Sequence, residues 1–178
     1  MQYFIGIVPP DEVKSRIIKF QTRWENNSLL QVVEPHITVK AQGGLTSDKN
    51  WVSTVEKICK DISSFQITLD KPNFFGGNVL FLSVWSEQIY ELHNILVNEI
   101  SPGPGLIKKY MELEDYVPHL TLGQTNWGLT ADELKEMARV TEKELWPIPS
   151  FEVEFLRIYQ EIQPNKYRKY VDITLQKF

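Results

Sequence analysis

The chain carries two copies of one five-residue pattern, PHITV at Pro35–Val39 and PHLTL at Pro118–Leu122. The two copies use two of the three histidines among 178 residues. Because side chains alternate between the faces of an extended strand, the histidine and threonine of each copy share one face, and the apolar pair shares the other. The pattern therefore predicts two matching His–Thr pairs on an open surface, with the apolar residues facing a core.

Four side chains form the candidate site: His36, Thr38, His119 and Thr121. Imidazole titrates near neutral pH, so one histidine can be the neutral base while the other is the protonated acid. The threonine hydroxyls can stabilise charge that develops on phosphoryl oxygens. This set suits acid–base chemistry on a phosphodiester, and it leaves open which histidine is the acid. It requires no metal, since two histidines without carboxylate or cysteine ligands make a poor zinc site.

The elements that must position these residues occur twice in the same order: strand, helix, loop and motif strand. The first set comprises Tyr3–Val8, a helix from Asp11 through Trp24, and His36–Lys40; the second comprises Val79–Trp85, a helix from Ser86 to Ile100, and Val117–Gly123. The motif histidines lie 83 positions apart, close to half of the chain. This order predicts a duplication with the motifs as pseudo-symmetric partners, although little residue identity exists outside them.

The rest of the chain is assigned from periodicity and turn residues. We expect a helix over Trp51–Ile62, a strand over Phe65–Leu69, a turn-rich segment at Pro72–Asn78, a loop of about a dozen residues before the second motif, a helix from Thr130, and closing antiparallel strands at Phe151–Glu161 and Tyr167–Leu175. No linker composition interrupts this series, so we expect a single domain over residues 1–178 with two lobes.

The paired motifs, their spacing and the flanking strand–helix order resemble the two-histidine (2H) phosphoesterase superfamily, which includes RNA 2′,5′-ligase-like proteins and cyclic phosphodiesterases. The resemblance covers most of the chain, but only His36–Val39 and His119–Leu122 are specific. It implies an α+β fold of two pseudo-symmetric lobes, each an antiparallel sheet with outer helices, and an active-site cleft between the lobes. It further implies that His36 and His119 are catalytic and that Thr38 and Thr121 bind phosphate. The implied reaction is metal-independent hydrolysis of a 2′,3′-cyclic phosphate or a 2′,5′-linked nucleotide or RNA end.

Composition and net charge restrict the kinds of ligand that we expect the protein to bind. The net charge of −4 and the pI of about 5.5 provide no global basic field for a long duplex, so a nucleotide or a short RNA end is the expected ligand, without a cofactor. The single cysteine, Cys59, excludes an intrachain disulfide. No apolar stretch has the length of a membrane span and no signal peptide is indicated, so a cytoplasmic protein without a membrane partner is expected.

Other residues allow two interpretations each. Lys40 is either a phosphate ligand on the face of Thr38 or a solvated lysine, and Gly123 leaves room for substrate. Cys59 is expected to be a small buried packing residue, and His93 is expected to lie on the helix surface or at the edge of the core and not to be catalytic. Aromatic residues near the motif strands either pack in the core, which is favoured, or stack on a base: Phe74, Phe75, Tyr116 and Trp127.

Two other functions remain open. The fold could serve as a non-catalytic module that binds nucleotides or RNA ends, or the same histidines could belong to a metal-dependent hydrolase. Loss of turnover with retained binding in histidine variants would separate catalysis from binding, and activity in EDTA would exclude the metal enzyme.

Overall fold

The computed structural model describes residues 1–177. The strands are β1 (Tyr3–Ile7), β2 (Ile37–Lys40), β3 (Phe65–Phe75), β4 (Val79–Trp85), β5 (His119–Gln124), β6 (Phe151–Val153), β7 (Phe155–Gln163) and β8 (Lys166–Thr174). The helices are α1 (Asp11–Gln21), α2 (Leu29–Val32), α3 (Val52–Asp61), α4 (Glu87–Ile100), α5 (Pro104–Lys109) and α6 (Ala131–Leu145). The element types around both motifs agree with the repeated order in the sequence.

The strands form one antiparallel sheet in the order β6-β3-β4-β5-β2-β1-β7-β8. The order has a pseudo-twofold at its centre, because β2 and β1 on one side correspond to β5 and β4 on the other. Each half contains four strands, and the halves meet where β2 pairs with β5 through Ile37 and Leu120. The predicted α+β fold with two pseudo-symmetric antiparallel lobes is confirmed, and the lobes share one continuous sheet.

One face of the sheet carries the main core. Ile37 and Val39 of β2 and Leu120 and Leu122 of β5 are fully buried there, as the alternation in both motifs predicts. Helix α4 packs on β2, α1 on β5, and α6 on β3 and β4. Each of these helices buries an apolar stripe. These three helices therefore occupy the face opposite the histidines. The short α2 lies on the histidine face, where its Val32 packs in a second, smaller apolar cluster, and the rest of that face stays open.

Several segments differ from the sequence prediction. The single strand expected over Phe151–Glu161 is two strands, of which β6 pairs with β3 and β7 pairs with β1 and β8. The turn-rich segment is shorter than expected, because β3 continues to Phe75 and pairs with β4 beyond Pro72. A shift in register between Leu69 and Pro72 places the proline next to an irregularity, where its missing N–H interrupts no regular ladder. The predicted loop before the second motif contains α5, whose Pro104 occupies the first turn. That position suits proline because its nitrogen needs no helical partner.

The part of the chain that the structure describes contains no helix that is both long and apolar enough to cross a membrane.

Candidate active site

Antiparallel pairing of β2 with β5 brings the two motifs side by side. Ile37 lies opposite Leu120. Because antiparallel partners run in opposite directions, the same register places Thr38 beside His119 and His36 beside Thr121. All four side chains are half-buried, whereas their apolar neighbours along each strand are fully buried. The structure thus brings together the four residues that the sequence singles out, on the face that the helices leave open.

Both imidazole rings are fixed by the same backbone contact. His36 Nδ1 lies 2.8 Å from the carbonyl oxygen of Glu34, and His119 Nδ1 lies 2.7 Å from that of Val117, each two residues earlier. A carbonyl oxygen only accepts, so Nδ1 carries the proton in each ring. The second nitrogen, Nε2, is therefore the one left for substrate, as a base in the neutral ring and as an acid in the imidazolium.

Burial favours the neutral form of both histidines. It lowers the pKa of His36 from 6.5 to about 4; the Glu34 contacts oppose this shift, and repulsion from His119 adds to it. The pKa of His119 is also lowered, by burial first, against the opposing contact to Val117. Because the charge on His119 lowers the pKa of His36, we expect the two rings to titrate as a coupled pair.

A charged network surrounds His36 and has no counterpart at the second motif among the described residues. The Glu34 carboxylate accepts hydrogen bonds from Arg157 (2.6 Å) and from the Tyr159 hydroxyl (3.0 Å). Arg157 also contacts both carboxylate oxygens of Asp172, at 2.7 and 2.8 Å. The backbone oxygen of Glu34 orients His36, so this network fixes the segment that holds the ring. Sequence reasoning missed it because the partners lie more than 120 residues apart along the chain.

Aromatic rings flank both histidines. The Phe4 ring lies 4.9 Å from that of His36, and His119 lies among aromatic rings beside an open cavity. The Phe75 ring meets the imidazole edge-on, with centroids 4.8 Å apart, and stacks on Phe81 at 4.1 Å. The adjoining cavity has a volume of about 410 Å³, and its lining includes Thr38, His119, Thr121 and the aromatic Tyr116. Of the aromatic candidates, Phe75 and Tyr116 line this cavity, and Trp127 lines a separate cavity together with His36 and Thr121. The cavity beside His119 therefore has an apolar wall.

Gly123 does not have the role that the sequence suggests. A Cβ on Gly123 would clash with Leu129 Cδ1 and lie 3.3 Å from Met137 Sδ, so this glycine allows α6 and the residues before it to pack closely and leaves no room for substrate. Gly6 pairs with Thr38, and a Cβ there would lie 3.5 Å from the His36 ring. Gly6 is therefore the glycine that allows close approach at the site, and its sequence context gives no signal of this.

Both interpretations of Lys40 are wrong. A bulge in the pairing of β1 with β2 sets Gly6 opposite Thr38 but Ile5 opposite Lys40, which breaks the alternation. Lys40 is 0% exposed. Its ammonium group lies 2.7 Å from Glu112 Oε1 and 2.6 Å from the Gly43 carbonyl oxygen. Lys40 therefore forms a buried ion pair behind the site and does not reach a phosphate.

Cys59 is a buried packing residue, as expected, whereas His93 is buried more deeply than the sequence predicts. His93 is buried and uses both ring nitrogens: Nδ1 contacts the Val39 carbonyl oxygen at 2.6 Å, and Nε2 accepts from the Leu113 N–H at 2.8 Å. Its ring stacks on Tyr116, whose hydroxyl donates to the Thr38 carbonyl oxygen at 2.8 Å. Burial raises the pKa of Cys59 to about 12. Neither residue is available for chemistry.

Residues 1–177 contain no group of three or more His, Cys, Asp or Glu side chains arranged to hold a metal ion.

Comparisons with known proteins agree with this geometry. The family model of the 2′-5′ RNA ligase superfamily matches residues 9–163. A protein of Methanocaldococcus jannaschii named RNA 2′,3′-cyclic phosphodiesterase is 24% identical over 172 residues, which cover 93% of this chain and 94% of that protein. TT0787 of Thermus thermophilus has a TM-score of 0.67 at 16% identity, with 99% of each chain covered. E. coli LigT complexed with 3′-AMP has a TM-score of 0.62 at 16% identity, with 98% of each chain covered.

The structural neighbours share the fold over their whole length, and the family match spans most of the sequence, including both motifs. The chain therefore belongs to the 2′-5′ RNA ligase superfamily of two-histidine phosphoesterases, and it is a phosphoesterase.

Proposed function

We propose that the chain hydrolyses the 2′,3′-cyclic phosphate of a nucleotide or short RNA end, or a related 2′,5′ linkage, with His36 and His119 as the acid–base pair. The observation that carries the proposal is the pairing of Ile37 with Leu120, which sets both His–Thr pairs on one open face. Family membership and the name of the M. jannaschii relative support the same substrate class. They favour an enzyme over a non-catalytic binding module.

The proposed proton transfers use Nε2 of each histidine, because Nδ1 is bonded to a backbone carbonyl oxygen in both rings. Nε2 of the neutral histidine takes a proton from a water molecule as the water oxygen bonds to phosphorus. The bond from phosphorus to one ribose oxygen breaks, and Nε2–H of the protonated histidine donates its proton to that oxygen. The product is a phosphomonoester, and the two histidines exchange protonation states. Thr38 and Thr121 donate hydrogen bonds to the non-bridging oxygens as negative charge develops there.

The direct test is incubation of the purified protein, in EDTA, with each nucleoside 2′,3′-cyclic phosphate. Chromatography of the products gives the rate and identifies the ribose oxygen that leaves. Ring opening under these conditions is the expected result. If no cyclic phosphate is opened with or without added divalent metal, the proposal fails; if opening occurs only with metal, the metal-independent mechanism fails.

The threonine hydroxyls provide a test of phosphate binding. Thr38→Val and Thr121→Val preserve the β-branched shape and remove one donor each. We expect each change to lower kcat/KM by roughly 10²-fold, the usual effect of losing one oxyanion donor. Thr→Ser at the same positions keeps the hydroxyl and should retain most of the activity. Equal losses in the valine and serine variants would assign the threonines a packing role instead.

The pH dependence follows from the lowered pKa values of both histidines. The reaction needs one ring protonated, and the protonated form is lost as pH rises through a pKa below 6.5. At low pH both rings become protonated and the base is lost. We therefore expect a bell-shaped profile of kcat/KM with its maximum below about pH 6.5, since kcat/KM reports the free enzyme. The cyclic phosphodiester does not titrate in this range. Activity that rises steadily through pH 8 would contradict the assignment.

A further inference from the structure

An exposed tryptophan lies on the same face of the sheet as the histidines. In β4, Leu80, Leu82 and Val84 point into the core. The alternate residues share the other face, where Phe81 contacts the His119 ring at 5.2 Å and Ser83 pairs with His119. Trp85 is the next residue of this series, and 68% of its surface is exposed.

The indole is held in place although it is exposed. Its Nε1–H donates to Asp70 Oδ2 at 2.8 Å, and Trp85 pairs across the strands with Thr68. Asp70 belongs to the irregular stretch between Leu69 and Pro72, where the pairing of β3 shifts. Such bulges often redirect a side chain next to a site. Here the bulge supplies the acceptor that fixes the ring and leaves its broad faces open.

The position of Trp85 suits a neighbouring nucleotide. From the usual strand rise and strand separation, the Cα atoms of Trp85 and His119 are roughly 8–9 Å apart. At this distance Trp85 is too far from His119 to contact the reacting phosphate, but it can contact the next nucleotide of a short RNA strand.

We propose that Trp85 is a stacking platform for the base of the second nucleotide of an RNA end, so that the preferred substrate is an oligonucleotide bearing a terminal 2′,3′-cyclic phosphate. The proposal rests on the proposed function and names its substrate class. The terminal nucleotide lies at the histidines, and the preceding base stacks on the indole. Base–aromatic stacking tolerates any base, so this subsite selects for chain length and not for sequence.

The test compares two substrates, adenosine 2′,3′-cyclic phosphate and the dinucleotide ApA with a terminal 2′,3′-cyclic phosphate. Trp85→Ala should lower kcat/KM for the dinucleotide by roughly 5- to 100-fold, the range that loss of one stacked base produces. It should leave kcat/KM for the mononucleotide unchanged. Trp85→Phe keeps an aromatic face and should lie between the wild type and Trp85→Ala on the dinucleotide. Tyr170→Ala, at a half-exposed aromatic residue on the edge strand β8, is the control and should affect neither substrate.

Three results would overturn the proposal. Equal losses on both substrates would mean that Trp85 supports the fold or the terminal nucleotide. No loss on either substrate would mean that the exposed indole serves another partner, such as a protein. If the wild type opens neither cyclic phosphate, the proposed function itself fails; a wild type active on the mononucleotide with an unaffected Trp85→Ala variant rejects only the stacking platform.

Discussion

Replacement of His36 or His119 with Ala is expected to lower kcat for a nucleoside 2′,3′-cyclic phosphate by roughly 10²- to 10⁴-fold, the range of a single general acid or base. Each change removes the Nε2 that the proposed reaction uses, together with the Nδ1 hydrogen bond that holds the ring to the Glu34 or Val117 carbonyl oxygen. Because the two rings act in one proton-transfer cycle, the double variant should be little slower than either single variant.

Added imidazole provides the readout that separates chemistry from folding. It should restore part of the activity in each single variant in proportion to its concentration, because the cavity left by the ring opens to the cleft. Unfolding midpoints close to that of the wild type would show that the fold is retained. A variant that loses activity, keeps its stability and shows no rescue would suggest that the histidine binds substrate without transferring a proton.

A large loss in the free energy of unfolding is expected when either member of the buried Lys40–Glu112 pair is replaced. The two side chains are 0% and 1% exposed, and Glu112 Oε1 also accepts from the Ala41 N–H at 3.2 Å. Lys40→Met alone or Glu112→Leu alone leaves one buried charge without its partner, which costs about 3–5 kcal/mol of the free energy of unfolding. The double change removes both charges and should be close to neutral by the same reasoning.

Denaturant unfolding of the four proteins completes a double-mutant cycle. A coupling energy of several kcal/mol is expected, because the pair joins the end of β2 to the segment after α5 at the cavity wall. Glu112 Oε2 has no partner within the described residues, so the cost of burial is not fully offset even in the wild type. If the free energy of unfolding of the single variants falls by less than about 1 kcal/mol, water reaches the pair.

Local sequence predicts the site better than it predicts the surroundings of the site. The two motifs indicate which face of the sheet carries the histidines and threonines, because strand alternation is a property of a few consecutive residues. The same rule fails for Lys40, since a bulge depends on how β1 pairs with β2. The role expected of Gly123 is wrong for a related reason, because the groups nearest to a glycine come from distant parts of the chain.

The sequence by itself determined the four site residues, the α+β class and the repeated strand–helix–strand order, all of which follow from short periodic patterns and from a repeat within the chain. Only the tertiary structure decided that Thr38 lies beside His119 and that Arg157 binds Glu34 next to His36. It also decided that Trp85 is exposed on the same face of the sheet. These features depend on pairing between strands far apart in sequence. Register and side-chain contacts of that kind are fixed by the packing of the whole sheet, and no local pattern encodes them.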